Sequence, residues 1–246
     1  MKLGFKIITA TFIDRPNRFT IIARHGSRRL KCYFPNPGRM KELLRPNTKL
    51  AIQASMSSKS ARTTAYDTVA VRSGRRWVSI DSRVPNKLVE EALESGRLRE
   101  FQSYTEVKEE FTYNRSRFDF LLESEDSSCL LEVKSCTLVV EGVGIFPDAP
   151  TARGSKHLLD LVKAKKSGYR ACMLFVIQRD DATSFSPNQK TDPRFCSTLN
   201  WAIGKGVEVY AKRCKFSRFD LTLDANVPVN FGYLVGNEVN VLNGKA

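Results

Sequence analysis

Two short segments constrain the fold of this chain more than any other part, because together they place an acid on one strand and a Glu-x-Lys pair on the next. They are Ser116–Phe120 and Leu131–Ser135, and a polar turn cluster lies between them. Alternate side chains of a strand share a face, so Glu132 and Lys134 are predicted to point the same way. A hairpin folded about the middle of the cluster places Asp119 opposite Glu132.

Two carboxylates and one ammonium group would then meet in the middle of otherwise apolar strands. Such a patch destabilises a fold unless a cation bridges the acids or the charges pair. Carboxylate oxygens suit Mg²⁺ or Mn²⁺, and a bound metal can polarise a phosphodiester and help to deprotonate water. Asp119, Glu132 and Lys134 are therefore the predicted catalytic residues, with the two acids as metal ligands and the lysine near the attacking water.

A second interpretation of the same pattern is a salt-bridge ladder on a solvated face, which is a common arrangement of cross-strand charges. The tripeptide alone is a weak signal, because the chain carries a second copy, Glu106-Val107-Lys108, that has no aspartate strand at the matching distance. The residues of the hairpin leave the two interpretations open.

Two longer strings flank this hairpin in the sequence. Residues 146–158 read FPDAPTARGSKHL, and residues 36–44 read NPGRMKELL. Together with the Ser-Arg-x-Asp-Phe and Glu-Val-Lys-Ser strings, they resemble the sugar fermentation stimulation protein A family from about residue 10 to about residue 212. The resemblance implies an α/β protein with an N-terminal small β-barrel of the OB type, followed by a mixed-sheet α/β domain of the PD-(D/E)xK nuclease type.

By that likeness Asp119, Glu132 and Lys134 would form a nuclease triad, and either Glu110 or Asp148 would be the third acid of the metal site. Members of the family are described as DNA-binding, which favours DNA over RNA as the partner. The family name describes a phenotype and not a reaction. The alternative function is therefore a non-catalytic DNA-binding regulatory protein of sugar metabolism on a nuclease-like scaffold.

The positive charge of the chain is concentrated in its first third. Residues 1–85 hold 18 Lys and Arg against 4 Asp and Glu, whereas residues 86–246 hold 22 of each. A concentrated positive field attracts a polyanion and gives salt-dependent affinity through counterion release. The sequence therefore predicts a basic nucleic-acid-binding domain over residues 1–85 and the nuclease-like domain over residues 86–246.

Several short strands with one short helix near residues 36–44 are expected in the first domain. Mobile loop character is expected for residues 56–62. Tyr33 and Phe34 are candidates for stacking on bases, although the strand position of Phe34 favours a core role. The residues expected to contact nucleic acid in this domain are Arg24, Arg28, Arg29, Lys31 and Arg39.

In the second domain, Asn86 is expected to cap a helix over residues 87–94, and Thr151 a helix that runs to about Lys166. Arg153 and Lys156 lie three residues apart on the second helix, so they are expected to share a face and to contact a phosphate. His157 is either a proton carrier or a hydrogen-bonded structural histidine. Residues 144–150 are expected to form a loop. The tail over residues 213–246 is expected to be irregular, with short β-like runs at residues 221–223 and 238–242.

Other features limit the remaining function classes. The longest apolar run is short and the N-terminus lacks a signal-peptide pattern, so a cytoplasmic protein with no membrane partner is expected. A P-loop and a dinucleotide-binding glycine pattern are absent from the sequence. The oligomeric state stays open, with a homodimer as one alternative. The six cysteines form no Cys-x-x-Cys pair and are expected to be buried thiols, at positions 32, 129, 136, 172, 196 and 214.

Overall fold

A computed structural model describes residues 1–4, 6–55 and 63–231 of the chain. The loop expected at residues 56–62, Phe5 and the end of the tail lie outside this range. Among the helices of the described residues, none is both long and apolar enough to cross a membrane. All six cysteine side chains are buried thiols, as the sequence predicts.

The N-terminal unit is a closed β-barrel. Its strands pair in the order β3-β2-β1-β4-β5-β6, and parallel pairing of β3 with β5 closes five of them into a barrel. The OB-like barrel predicted from the sequence is confirmed. The strands are β1 (Ile8–Asn17), β2 (Thr20–His25), β3 (Arg28–Tyr33), β4 (Lys49–Ala54), β5 (Tyr66–Ser73) and β6 (Arg76–Ser79).

The barrel interior is filled by apolar side chains that alternate along these strands, including Phe12, Ile21 and Leu50. Phe34 is fully buried in this core. It therefore has the core role that the sequence favours and is not available to stack on a base. The prediction of a short helix at residues 36–44 is wrong, because only turns form there. The side chain of Asn36 accepts the N–H of Gly38 at 2.8 Å, and such a local bond competes with the helix. Met40 adopts a positive φ of 46°, which also stops a helix.

The second unit is a mixed α/β layer structure built on a six-stranded sheet in the order β15-β14-β12-β9-β8-β7. The pairs that β12 makes with β9 and with β14 are parallel, and the outer pairs are antiparallel. The strands are β7 (Glu106–Tyr113), β8 (Ser116–Glu123), β9 (Ser128–Cys136), β12 (Arg170–Ile177), β14 (Glu208–Ser217) and β15 (Asp220–Asn226).

Helices cover both faces of this sheet. Helix α1 (Val84–Glu94) packs on one face, and helices α2 (Ala152–Lys166) and α3 (Pro193–Gly204) pack on the other. A 3-10 turn spans Arg99–Phe101 after α1. Thr151 caps α2 as predicted, because its side chain accepts the N–H of Gly154.

Three sequence-based expectations for this unit are wrong. Helix α1 begins at Val84, so Asn86 lies inside its first turn and does not cap it. The expected loop at residues 144–150 begins as β11 (Val143–Phe146), which pairs with β10 (Val139–Val140) and β13 (Ser184–Pro187). The tail is not irregular from residue 213, because β14 and β15 form a hairpin that reaches Asn226.

The two units are joined by contacts as well as by the chain. Arg76 of the barrel forms an ion pair with Asp180 at 2.8 Å, and Gln178 donates to the backbone of Asp81 at 3.2 Å. The N-terminus belongs structurally to the second unit: Leu221 donates its N–H to the carbonyl of Met1 at 2.9 Å. The first residues therefore contact the second unit, although they precede the barrel in the sequence.

Candidate functional site

The hairpin formed by β8 and β9 has the register predicted from the sequence. Its paired residues run from Glu123 with Ser128 to Phe120 with Leu131, where the regular ladder ends. Asp119 is the next residue on β8. Its carboxylate Oδ2 accepts the backbone N–H of Val133 at 2.7 Å. The strand pair therefore separates at Asp119, and a side chain takes over the role of a backbone acceptor.

The neighbouring strand is also irregular at this level. β7 pairs with β8 on both sides of Asp119, through Glu109 with Phe120 and Phe111 with Phe118, but Glu110 between them has a φ of +56°. A non-glycine residue rarely adopts this conformation.

Glu110 points into solvent, where it forms an ion pair with Arg117 at 3.3 Å. Neither candidate for the third acid joins the pair formed by Asp119 and Glu132. Asp148 instead lies beside Gly38 of the barrel, where a Cβ atom on the glycine would come within 2.6 Å of its Oδ2. In the described part of the chain, no group of three His, Cys, Asp or Glu side chains is arranged to hold a metal.

Helix α1 supplies a contact to Asp119 that sequence reasoning missed. Asn86 donates from Nδ2 to Asp119 Oδ1 at 2.7 Å. Burial raises the pKa of Asp119 above its usual range, and the negative charge of Glu132 adds to the rise. A local pattern could not have identified Asn86, because 33 residues separate it from its partner.

Glu132 lies on the sheet face covered by α2, and it is only 2% exposed. Its Oε1 accepts hydrogen bonds from Lys134 and from Nδ1 of His157, the latter at 2.5 Å. Burial opposes the charge of Glu132, but these two donors outweigh it and hold the pKa of the carboxyl below its usual range. Val133 between them faces the core under α1, as the alternation predicts.

The second carboxylate oxygen of Glu132 has a different environment. Oε2 is buried and has no hydrogen-bond partner within the described residues. A charged oxygen in this state is costly unless a cation or a donor completes it. Oε2 belongs to one of the two carboxylates that the sequence predicts as metal ligands. Because a hard divalent cation prefers carboxylate oxygens, Asp119 and Glu132 fit such a cation.

The competing interpretation, a solvated salt-bridge ladder, describes the second Glu-x-Lys copy instead. Lys108 pairs with Glu123 at 2.5 Å and with Glu106 at 3.5 Å, and its side chain is 55% exposed. The Lys134 side chain is 15% exposed. Burial therefore distinguishes two copies that the tripeptide alone does not.

Helix α2 orients the buried imidazole. Arg153 donates from Nε to His157 Nε2 at 3.3 Å, which leaves Nδ1 as the nitrogen that donates to Glu132. Lys156 diverges from Arg153 and donates to the carbonyl of Arg115 at 2.8 Å. Of the two expected phosphate contacts, only Arg153 connects to the carboxylates. The four-residue spacing between Arg153 and His157 is a signal that could have found this pair.

The predicted nucleic-acid contacts of the barrel fall into two places. Arg24 lies directly opposite Arg29 on β2 and β3, and Arg28 follows at the hairpin tip. All three are exposed, and within the described residues none of them forms an ion pair. Lys31 continues this surface and donates to Thr63 at 3.2 Å. Arg39 lies at the other end of the barrel, in the turn that follows β3.

Comparisons with known proteins find family matches to both units of this chain. Residues 13–80 match the family described as SfsA N-terminal OB domain, and residues 83–220 match the Sugar fermentation stimulation protein RE domain. A sugar fermentation stimulation protein homolog of Moorella thermoacetica is 44% identical over 230 residues, which cover 93% of this chain and 99% of that protein. A homolog of Desulforamulus reducens is 44% identical over 224 residues, which cover 91% of this chain and 92% of that protein.

A solved structure is also similar over nearly the full length. It is titled "The structure of Pyrococcus Furiosus SfsA in complex with Ca2+", and it superposes with a TM-score of 0.85 at 26% identity. The match covers 94% of this chain and 100% of that one.

Proposed function

This chain belongs to the sugar fermentation stimulation protein family, and from that premise we propose that it is a DNA-binding, divalent-metal-dependent nuclease. Its reaction would be hydrolysis of a phosphodiester at Asp119, Glu132 and Lys134. Asp119 and Glu132 would hold Mg²⁺ or Mn²⁺.

The observation that carries the proposal is the buried carboxylate pair with one incomplete oxygen. Glu132 keeps its charge through Lys134 and His157, and yet Oε2 has no donor. Asp119 has one donor on each oxygen, and a carboxylate oxygen can accept more than one contact. Asp119 and Glu132 would hold a divalent cation, and its positive charge would offset both the burial and the negative charge of Glu132 that raise the pKa of Asp119.

The proposed cation is a hard one. The similar structure of the Pyrococcus protein is described as a complex with Ca²⁺. Ca²⁺ and Mg²⁺ both prefer oxygen ligands, which is the donor type that Asp119 and Glu132 offer. With only two protein carboxylates, water and substrate oxygens would fill the remaining positions, as is usual for Mg²⁺.

The roles of the side chains follow from their contacts. When bound, the metal supplies polarisation of the phosphodiester and a lower pKa of the attacking water. Lys134 orients that water or stabilises the negative charge that develops on the phosphate. Asn86 and His157 hold the two carboxylates in one orientation. The exposed arginines Arg24 and Arg29 attract the phosphate backbone to the barrel.

Cleavage assays test this proposal. Labelled single-stranded, duplex and branched DNA and RNA are incubated with the wild-type protein and Mg²⁺, Mn²⁺ or EDTA. We expect metal-dependent cleavage that is lost in Asp119→Ala and Lys134→Ala, while binding in EDTA is retained. Lys108→Ala is the matched control, because it removes the lysine of the exposed Glu-x-Lys copy. Cleavage at the wild-type level by both site variants would refute the assignment.

The alternative function is a non-catalytic DNA-binding regulator on the same scaffold. The observation that favours it is the missing third acid, since neither Glu110 nor Asp148 joins the carboxylate pair in the described residues. This alternative predicts salt-dependent DNA binding without cleavage of any substrate in the panel. Sedimentation of the DNA complex would test the homodimer, the state in which nucleases that cut both strands often work.

A further inference from the structure

An aromatic pair lies on the barrel surface at the end that faces the second unit. Phe19 and Tyr33 stack with ring centroids 6.3 Å apart and an interplanar angle of 21°. Phe19 is 46% exposed, so nearly half of its surface is accessible to a ligand. Of the two aromatic residues that the sequence predicts for base stacking, Phe34 is buried, whereas Tyr33 is half-buried beside Phe19.

The backbone holds Phe19 in place from both sides. Its N–H donates to Asn17 Oδ1 at 3.0 Å, and its carbonyl accepts the N–H of Phe34 at 2.9 Å. Thr20, the next residue, pairs with Tyr33 in the β2–β3 ladder. The exposed ring is therefore presented by an ordered turn, which reduces the conformational entropy that the protein loses when a ligand binds there.

A cleft leads from the aromatic pair to the start of α1, the helix that carries Asn86. Tyr33 lines a cleft whose other wall includes Asp81, Arg83 and Val84, at the start of α1. Asn86, which holds Asp119, follows Arg83 by three residues, a rise of about 4.5 Å along a helix. A strand that contacts Phe19 can continue along the first turn of α1 towards the carboxylates.

The surroundings of the pair are positively charged. Arg18 precedes Phe19, and Arg39 lies in the turn after β3, with both side chains exposed. The guanidinium of Arg15 ties these segments together, because it donates to the carbonyl of Arg18 at 2.7 Å and to that of Arg39 at 2.9 Å. Cations around an open aromatic face match the chemistry of a nucleotide, which offers a π-face beside a phosphate.

We propose that the Phe19–Tyr33 pair is a stacking site for an unpaired nucleobase, and that the nucleic acid at this junction is therefore single-stranded. In a duplex the bases stack on each other and are not available to a surface ring. The inference deepens the proposed function, because it names the substrate class, and it rests on that function only for the cleavage step. The binding step can be tested without any cleavage.

The test measures binding in EDTA to an oligothymidine of about 12 nucleotides, a length within the range that one OB fold covers, and to a duplex of equal length. Phe19→Leu keeps an apolar cover over Tyr33 but removes the π-face, whereas Phe19→Trp keeps the face. We expect Phe19→Leu to weaken single-strand binding about 10-fold and duplex binding by less than about twofold, and Phe19→Trp to bind as the wild type does. The salt dependence should not change, because no phosphate contact is removed.

Trp201→Ala is the matched control, because Trp201 is an aromatic residue of α3 with a similar exposure of 44%. Wild-type single-strand affinity in Phe19→Leu, or an equal loss on duplex, would overturn the inference. Thermal unfolding of each variant separates a folding defect from a lost contact. Absence of cleavage by the wild-type protein would refute the proposed function and leave this result intact.

Discussion

His157 donates from Nδ1 to Oε1 of Glu132 at 2.5 Å, and the two side chains are only 4% and 3% exposed. An arginine can only donate, so the contact from Arg153 Nε requires His157 Nε2 to accept and fixes the proton on Nδ1. The carboxylate of Glu132 is therefore held through Oε1, while Oε2 has no hydrogen-bond partner in the described part of the chain. A side chain that hydrogen-bonds to a metal ligand without binding the metal itself fixes the orientation of that ligand.

Substitution of His157 tests this positioning role. His157→Phe removes the donor, and we expect it to lower Mn²⁺ affinity about 10- to 100-fold. His157→Asn places an amide N–H near the former Nδ1 position and should retain most of the affinity. Titration calorimetry with Mn²⁺ and no nucleic acid measures the difference. Equal losses in the two variants would mean that His157 acts through packing alone.

Asn86 offers a second test of the carboxylate pair. Asn86→Asp replaces the donor to Asp119 by a third carboxylate, so repulsion should destabilise the protein in EDTA by about 1–3 kcal/mol. Added Mn²⁺ should remove most of this loss, because a cation that binds only the folded state stabilises it. Differential scanning calorimetry with and without the metal checks both parts. Asn114→Asp adds the same charge in an exposed turn and should show no such dependence on metal.

The local part of the site could be predicted from the sequence. The polar cluster that begins at Glu123 predicts the turn between β8 and β9, and this turn gives the register of the two strands. The alternation of side chains predicts that Glu132 and Lys134 share a face. The long-range part could not be predicted. Asn86 and His157 reach the carboxylates only because two helices pack on opposite faces of the sheet, and no spacing within either helix encodes that contact.

The errors in the fold have similar causes. Residues 36–44 carry the apolar spacing of a helix, but the side chain of Asn36 bonds to the backbone of Gly38, and Met40 adopts a positive φ. Strand β13 contains two serines and a proline, which are unusual in a buried strand, so composition did not indicate it. The strand forms because parallel pairing with β11 satisfies its backbone.

The junction between the two units can be tested at Gly38. A Cβ atom there would lie 2.6 Å from Asp148 Oδ2 and 2.9 Å from Asn36 Oδ1. We expect Gly38→Ala to destabilise the protein by about 1–3 kcal/mol through overpacking. In an Asp148→Ala background the cost should fall, because one of the two close contacts is gone. Urea unfolding of the four proteins gives the coupling, and strict additivity would show that the residues do not contact each other.

The stability of the protein at low pH should depend on Glu208, the first residue of β14 in the six-stranded sheet. Hydrogen bonds from Arg170, at 2.7 and 2.8 Å, hold the pKa of Glu208 below its usual 4.5 against the opposing effect of burial. A carboxyl group with a lowered pKa stabilises the fold above its unfolded pKa, and this contribution is lost as the pH falls through the folded pKa. Glu208→Gln should therefore be less stable than the wild type at pH ~7, by about 1 kcal/mol or less because the pair is partly exposed. The difference should shrink as the pH falls below ~4.5, because the carboxyl is protonated first in the unfolded chain and then, at its lower pKa, in the folded protein. Urea unfolding of both proteins between pH ~7 and ~3 measures it, and a difference that stays constant across this range would contradict the assigned ion pair.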